Sequence, residues 1–272
     1  MKDKPKKKRA NNLTGSDWIK NSISVWRDIK KTQEESALHH PGIFPSLLAE
    51  RIIRCFTIED DKYILDPFMG SGSTLIAAKK LNKIGIGFEI NPDFIKKAKG
   101  RLSQGDLFES NVTEPSIYQM DARKLLEVIS PDTIHLCVTS PPYWDILSQK
   151  RTADYKAIRN YGTLEEDLAQ IKDYNEFLDN LIVVFSNVYK VLKYGHYCIV
   201  NVMDLRKGPN FYPFHSDLAN RMQKVGYIFD DLIIWDRTKE YNNLRSLGYP
   251  YVFRINKVHE YLLIFKKPLN SD

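Results

Sequence analysis

Four consecutive residues, Ser140-Pro141-Pro142-Tyr143, combine groups that could act together on a flat polar ligand. Two prolines in a row fix φ and remove two N–H donors, so the local backbone carbonyls point outward without internal partners. The Ser140 hydroxyl and the Pro141 carbonyl can each accept a hydrogen bond from an exocyclic NH2 group. Such bonds weaken the conjugation of the amino nitrogen with its ring and raise its electron density. Tyr143 offers a flat face for stacking a base. With a methyl donor in line behind the nitrogen, positioning and hydrogen bonding would carry the reaction without a covalent intermediate. A stiff exit from a strand is the plain structural alternative, and only the surroundings separate the two.

A second constellation lies upstream, in Asp66-Pro67-Phe68-Met69-Gly70-Ser71-Gly72-Ser73-Thr74. Gly70 and Gly72 allow a tight turn and a close approach of backbone to ligand. Ser73 or Thr74 is placed to cap the helix that follows, whose N-terminus favours negative charge. The segment also reads as an ordinary strand–helix corner. It has no G-x-G-x-x-G, and no Lys follows the second glycine, which disfavours phosphate-binding loops. Glu89 comes 23 positions after Asp66 and closes the next strand, where an acid can accept both hydroxyls of a ribose. Asp121, with Ala122 beside it, closes the third; it can accept from an adenine amino group, cap the helix behind it, or both. Three acids at three strand ends describe a pocket for an adenosine with a cationic centre and no phosphates. S-adenosylmethionine fits that description better than NAD.

The elements that must position these groups alternate regularly. Strands are predicted at 63–66, 83–89, 116–120, 134–139, 196–203, 227–235 and 259–266, and helices at 45–56, 73–80, 92–102, 122–129, 174–189 and 214–225. Such βαβ alternation implies a mainly parallel sheet covered by helices on both faces. Residues 237–258 hold no clear helix, so the last two strands are expected as an antiparallel pair at one edge. Ligands of such sheets bind beyond the carboxyl ends of the strands, where both constellations fall.

In these motifs the sequence resembles the N4-cytosine/N6-adenine DNA methyltransferase family. Asp66-Pro67-Phe68-x-Gly70-x-Gly72 looks like its cofactor loop, and Ser140-Pro141-Pro142-Tyr143 like its catalytic tetrapeptide. His40-Pro41, followed by Phe44-Pro45 and a helix through Arg51-Ile52-Ile53, is similar to its N-terminal segment around the methionine moiety. His259 to Lys267 is similar to its closing strand, and the match runs from about Ser16 to Lys267. The resemblance implies a Rossmann-like α/β fold with a mostly parallel seven-stranded sheet. It also implies methyl transfer from S-adenosylmethionine to an amino group of a base flipped out of duplex DNA. In this family Ser in the first tetrapeptide position is commoner among cytosine-N4 enzymes, so Ser140 favours N4 of cytosine over N6 of adenine. Two departures are Ser73, where Thr is common, and Lys193-Tyr194-Gly195-His196, where a Pro-Gly-Gly turn is usual. An RNA or protein-amide methyltransferase and an inactive DNA-binding module are the competing readings.

With 272 residues, 43% hydrophobic and 27% charged, one sizeable α/β domain is expected over 16–272. Residues 2–9 carry +5 of the net charge of +6, so residues 1–15 read as a basic disordered arm, and bulk charge says little about a partner. No apolar run is long enough for a membrane span, and none follows the basic N-terminus as in a secretory signal. Cys55, Cys137 and Cys198 are far apart, which disfavours a metal site and suits buried reduced thiols. None follows Pro, which rejects a C5-cytosine mechanism through a Pro-Cys nucleophile. The expected compartment is the cytoplasm of a bacterial or phage-infected cell, near the nucleoid.

DNA contacts are expected from two segments, each of which also reads as a solvated loop. Residues 145–162 hold Lys150, Arg151, Lys156, Arg159 and Tyr161. Residues 237–257 interleave Arg237, Lys239, Arg245, Arg254 and Lys257 with Tyr241, Tyr249, Tyr251 and Phe253. Cations among aromatics suit phosphate contact and filling of the gap left by a flipped base. Asp204 is read either as a wall of the base pocket or as a strand-end cap. Neither loop is a large recognition domain, so a short target or a homodimer would compensate. The sequence leaves open whether a cognate restriction endonuclease exists.

Overall fold

The structure is a computed structural model that describes residues 9–37, 44–103, 114–146, 167–240, 244 and 246–270. Its strands are β1 (Val25–Trp26), β2 (Tyr63–Asp66), β3 (Ile84–Glu89), β4 (Ser116–Gln119), β5 (Ile134–Thr139), β6 (Leu192–Val202), β7 (Leu205–Lys207), β8 (Asn210–Tyr212), β9 (Ile228–Asp236) and β10 (His259–Lys266). Its helices are α1 (Gly15–Asn21), α2 (Gln33–Ala37), α3 (Ser46–Phe56), α4 (Ser73–Lys80), α5 (Pro92–Ser103), α6 (Tyr174–Val191) and α7 (Phe214–Val225), with a 3-10 helix over Ala122–Glu127.

Eight strands form the main sheet in the order β1-β9-β10-β6-β5-β2-β3-β4, one more than the seven expected. The extra strand is β1, whose two residues pair in parallel with Ile234 and Trp235 of β9. The antiparallel pair β9–β10 is present, but β1 lies outside it. β10 is antiparallel to both β6 and β9 and is the one reversed strand of the main sheet. A separate two-stranded hairpin, β7–β8, follows β6.

Alternation along the strands explains why both faces need covering. β10 sends Leu263 and Phe265 into one core cluster and Leu262 and Ile264 into another. Phe177, Leu181, Phe185 and Val188 of α6 and Leu218 and Met222 of α7 close the first. Leu48, Ala49, Ile52 and Ile53 of α3, spaced for one helical face, close the second together with Ala77 and Ala78 of α4. Truncating a fully buried ring such as Phe185 to Ala would cost about 3–5 kcal/mol. Local signals set the helix ends. Asp173 accepts from the Glu176 N–H at the start of α6, and Gly226, at φ 119°, ends α7.

Ordered packing also starts earlier than residue 16. Asn11 is buried and its side-chain amide donates to the Cys55 carbonyl at 2.8 Å. The expected arm over 1–15 is therefore packed from Asn11 onward; residues 1–8 lie outside the described residues. Among the described residues no helix is long and apolar enough to cross a membrane.

Candidate active site

The chain passes from β2 through β3 to β4 on one side of the sheet, then returns to place β5 against the other side of β2. That reversal opens a crevice beyond the strand ends. A cleft lies there, enclosing about 830 Å³ with its open mouth included. Its walls come from the turn after β2 (Pro67 to Ser71, and Ser73), from Phe88 to Ile90, from Met120 to Ala122, and from Ser140 and Pro142 after β5. Phe44, Asp167 and Leu168 complete it.

The turn after β2 is built from inside. Asp66 is 1% exposed and does not line the cleft. Its Oδ1 accepts from the Phe68 N–H at 3.1 Å and the Thr139 hydroxyl at 2.6 Å, and its Oδ2 from the Thr74 hydroxyl at 2.7 Å. Burial pushes its carboxyl up to about 6, against the pull of those three donors. Asp66 and Thr74, both read as ligand contacts, are thus a buried clasp joining β2, β5 and α4. The expected side-chain cap of α4 is also absent. The cap position is Gly72, at φ 84°, where a Cβ would meet Ala98 Cβ at 3.0 Å. Only glycine adopts that conformation without strain.

Arg101 supports the turn from below, donating to the Ser71 carbonyl at 2.8 Å and pairing with Glu35 at 3.1 Å. Glu35 also accepts from the Ser46 and Thr32 N–H groups, so the segment between α2 and α3 is tied to the glycine turn. Burial works against ionisation of Glu35, yet these backbone donors, the Ser46 hydroxyl and Arg101 hold its carboxyl below the ordinary range. Phe44 reaches the cleft, whereas Pro45 occupies the N-cap of α3. His40 and Pro41 lie outside the described residues.

Glu89 and Asp121 face the cleft. Glu89 accepts from the Gly70 N–H at 3.0 Å and the Asn91 N–H at 2.9 Å. Burial raises its carboxyl to about 7; the N–H groups of Asn91, Gly70 and Ile90 pull it down, and nearby Asp167 adds to the rise. Asp121 caps the 3-10 helix through the Arg123 N–H at 2.8 Å and pairs with the Arg123 guanidinium at 2.6 Å. Ala122 is buried beside it in the cleft wall.

At the tetrapeptide, Ser140 and Pro142 open into this cleft, while Pro141 and Tyr143 are buried and do not line it. The expected stacking face of Tyr143 is not presented there. Its hydroxyl donates to Glu260 Oε2 at 3.1 Å and lies 3.5 Å from Ser140 Oγ. Glu260, on β10, also accepts from the Asn201 side-chain amide and pairs with Arg237. Arg237 further pairs with Glu240 and stacks on Trp235, so it is turned inward and away from the DNA role expected of it. Asp204 takes the cap role, accepting from the His215 N–H at 3.2 Å and its ring Nδ1–H at 2.6 Å.

Sequence reading missed several neighbours of the site. Phe88, Ile90, Met120 and Leu168 supply apolar walls. Lys207 of the β7–β8 hairpin reaches Asp145 at 2.7 Å and lies over the Trp144 ring, holding the hairpin against the corner after Tyr143. On the hairpin's other side Lys257 and Arg206 flank the Phe211 ring. Tyr251 and Phe253 nearby in sequence are 91% and 94% exposed. Of the two expected DNA segments, Lys150, Arg151, Lys156, Arg159, Tyr161, Tyr241 and Arg245 lie outside the described residues.

A cleft at the reversal point of a mostly parallel sheet, walled by aromatic and aliphatic groups, defines a Rossmann-like nucleoside-binding protein of the methyltransferase type. A solved S-adenosylmethionine-dependent methyltransferase from Methanosarcina mazei shares this fold, at 13% identity and TM-score 0.50, covering 78% of this chain and 94% of that one. The chain belongs to the DNA methylase family, whose model matches residues 1–100 and 134–271. It is 44% identical over 82 residues to a Type II methyltransferase of Lactococcus lactis subsp. cremoris, covering 30% of each chain. It is 31% identical over 165 residues to a Type II methyltransferase of Methanocaldococcus jannaschii, covering 54% of each. The matched part is thus less than two thirds of either relative's length.

The cleft fits S-adenosylmethionine by its donor set. Among the described residues its lining holds Glu89, Asp121 and Asp167 and no Lys or Arg. Such walls suit a ligand with hydroxyls, an amino group and positive charge, and oppose phosphates.

Proposed function

We propose that the protein methylates an exocyclic amino group in duplex DNA, with N4 of cytosine as the target. The observation that carries this reading is that Ser140 and Pro142 line the same cleft as Glu89 and Asp121. Glu89 would hold the ribose and Asp121 the adenine amino group of S-adenosylmethionine, with Phe44 and the turn from Pro67 to Ser73 around the remainder. When bound, that cofactor supplies an electrophilic methyl group. Ser140 in the first position of the tetrapeptide supports cytosine.

The chain's own residues do the positioning. Since the Tyr143 hydroxyl donates to Glu260, the Ser140 hydroxyl donates toward the Tyr143 oxygen and keeps lone pairs for the amino group of the target base. The Pro141 carbonyl is the second acceptor. Accepting from both amino hydrogens raises electron density on the nitrogen at the moment of attack. The β7–β8 hairpin and residues 246–257 offer cations beside exposed rings, suited to phosphate contact and to occupying the gap in the stack.

The test is incubation of the purified protein with methyl-labelled S-adenosylmethionine and duplex DNA, RNA or protein, followed by nucleoside analysis. Label in DNA as N4-methylcytosine is expected. N6-methyladenine would correct the base, and label confined to RNA or protein, or none at all, would overturn the DNA reading.

A further inference from the structure

Asp167 is the acid of the cleft for which the proposed chemistry has no use. In sequence it follows two further acids, Glu165 and Glu166, and precedes Leu168. In the fold it is 6% exposed and lines the cleft. One oxygen, Oδ1, accepts from the Ala169 N–H at 2.9 Å and caps the short 3-10 helix Leu168–Gln170. The other, Oδ2, is buried and has no hydrogen-bond partner among the described residues. A buried acceptor left in that condition costs roughly 1–3 kcal/mol, and more when it is charged. Such a group in a native structure calls for an explanation, and for one that lines a cleft a ligand that completes it is the direct one.

The surroundings narrow what that ligand group is. No Lys or Arg among the described lining residues answers the charge, and burial raises the Asp167 carboxyl. Asp167 shares the cleft wall with Glu89, and its charge adds to the rise of the Glu89 carboxyl. Glu89 already spends one lone pair of each oxygen on the Gly70 and Asn91 N–H groups. Two neighbouring carboxylates, one partly used and one with an idle oxygen, match two neighbouring donors. A vicinal diol supplies such a pair, and the sugar of a ribonucleoside carries one.

We propose that Asp167 Oδ2 accepts a hydrogen bond from one hydroxyl of the ribose bound at Glu89, so that the two acids share the diol and the cleft selects ribo- over deoxyribonucleosides. This rests on the cleft being the cofactor site. It gives the protein a means of keeping its cofactor pocket closed to the deoxyribonucleotides of its own substrate.

Calorimetric titration tests this with S-adenosylhomocysteine and its 2′-deoxy and 3′-deoxy counterparts, on the wild type and on Asp167→Ser and Asp167→Asn. Ser keeps an oxygen for the Ala169 N–H and removes the second one. Asn keeps the shape and the cap and presents an amide N–H to the sugar, so it carries the test if the Ser variant does not fold. Loss of a hydrogen bond to a charged group predicts a roughly tenfold or greater loss of affinity for the ribo ligand. One deoxy ligand should bind variant and wild type alike, because it lacks the hydroxyl that Asp167 holds. An unchanged affinity for the ribo ligand, or the same loss against all three ligands, would overturn the role of Asp167 and leave the cofactor site standing. A wild type that binds none of the three would defeat the cofactor site itself and the proposal with it.

Discussion

The Tyr143 hydroxyl donates to Glu260 Oε2 at 3.1 Å and so joins the corner after β5 to β10, 117 residues later. Both residues are buried, and the same carboxylate takes Asn201 and Arg237. Tyr143→Phe removes one donor and leaves the charged acceptor less satisfied. The expected cost is about 1–3 kcal/mol in urea unfolding, with methyl transfer reduced and S-adenosylhomocysteine affinity within about twofold of wild type. A variant as stable as the parent would show that Glu260 does not depend on the phenol.

Under the proposed function, Ser140→Ala removes an acceptor for the reacting amino group. Loss of one such positioned hydrogen bond typically costs about 100-fold or more in turnover. Single-turnover methylation should fall by that order while cofactor affinity is preserved. Turnover near wild type would remove Ser140 from the chemistry.

Glu89 predicts a pH dependence. Its carboxyl titrates near 7 in the folded chain, above the ordinary carboxylate range. The folded state therefore binds the proton more tightly than the unfolded one. The stability this group contributes is full at low pH and declines as pH rises toward 7. Ionisation makes the carboxylate a better acceptor for ribose hydroxyls over the same range. Affinity for S-adenosylhomocysteine should thus rise between about pH 6 and about pH 8, and Glu89→Gln should flatten the rise. A profile identical in that variant would assign the titration to another group.

Gly72 is held at φ 84° with Ala98 Cβ 3.0 Å from where its own Cβ would be. Gly72→Ala should lower stability by about 1–2 kcal/mol from the backbone alone. The displaced turn should weaken cofactor binding as well. Thermal unfolding and ligand titration of the same sample read both effects.

Tyr251 and Phe253 are almost wholly exposed. Replacing both with Ala should leave the melting temperature nearly unchanged, since surface changes usually stay within about 0.5 kcal/mol. Affinity for duplex DNA should fall. Equal DNA binding, measured by fluorescence anisotropy, would move the interface elsewhere.

How far the sequence led depended on the range of the interactions. The strands ending at Asp66, Thr139 and Lys266 and the helices Ser73–Lys80 and Phe214–Val225 have the bounds read from local pattern and turn residues. β1 is two residues long, too short to show alternation, and is a strand only because β9 lies beside it. The β7–β8 strands, three residues each around Gly208-Pro209, fall below the same limit. At the cleft, residue type announced Glu89 and Asp121 but not direction, so Asp66 looked like a ligand contact although Thr139 and Thr74 enclose it. Tyr143 was misread for a similar reason, since its partner Glu260 is remote in sequence. Asp167 was invisible because nothing local separates an acid facing solvent from one facing a cavity.

The place of β10 has a consequence for synthesis. The strand leaves the ribosome after the other strands of the main sheet and must slide between β6 and β9 to unite them, bringing Glu260 with it. A nascent polypeptide halted before residue 259 already contains the glycine turn and the tetrapeptide, yet lacks the carboxylate behind Tyr143. Translation must therefore run past residue 260 before the tetrapeptide gains that support, and products terminated before it carry the motifs without it.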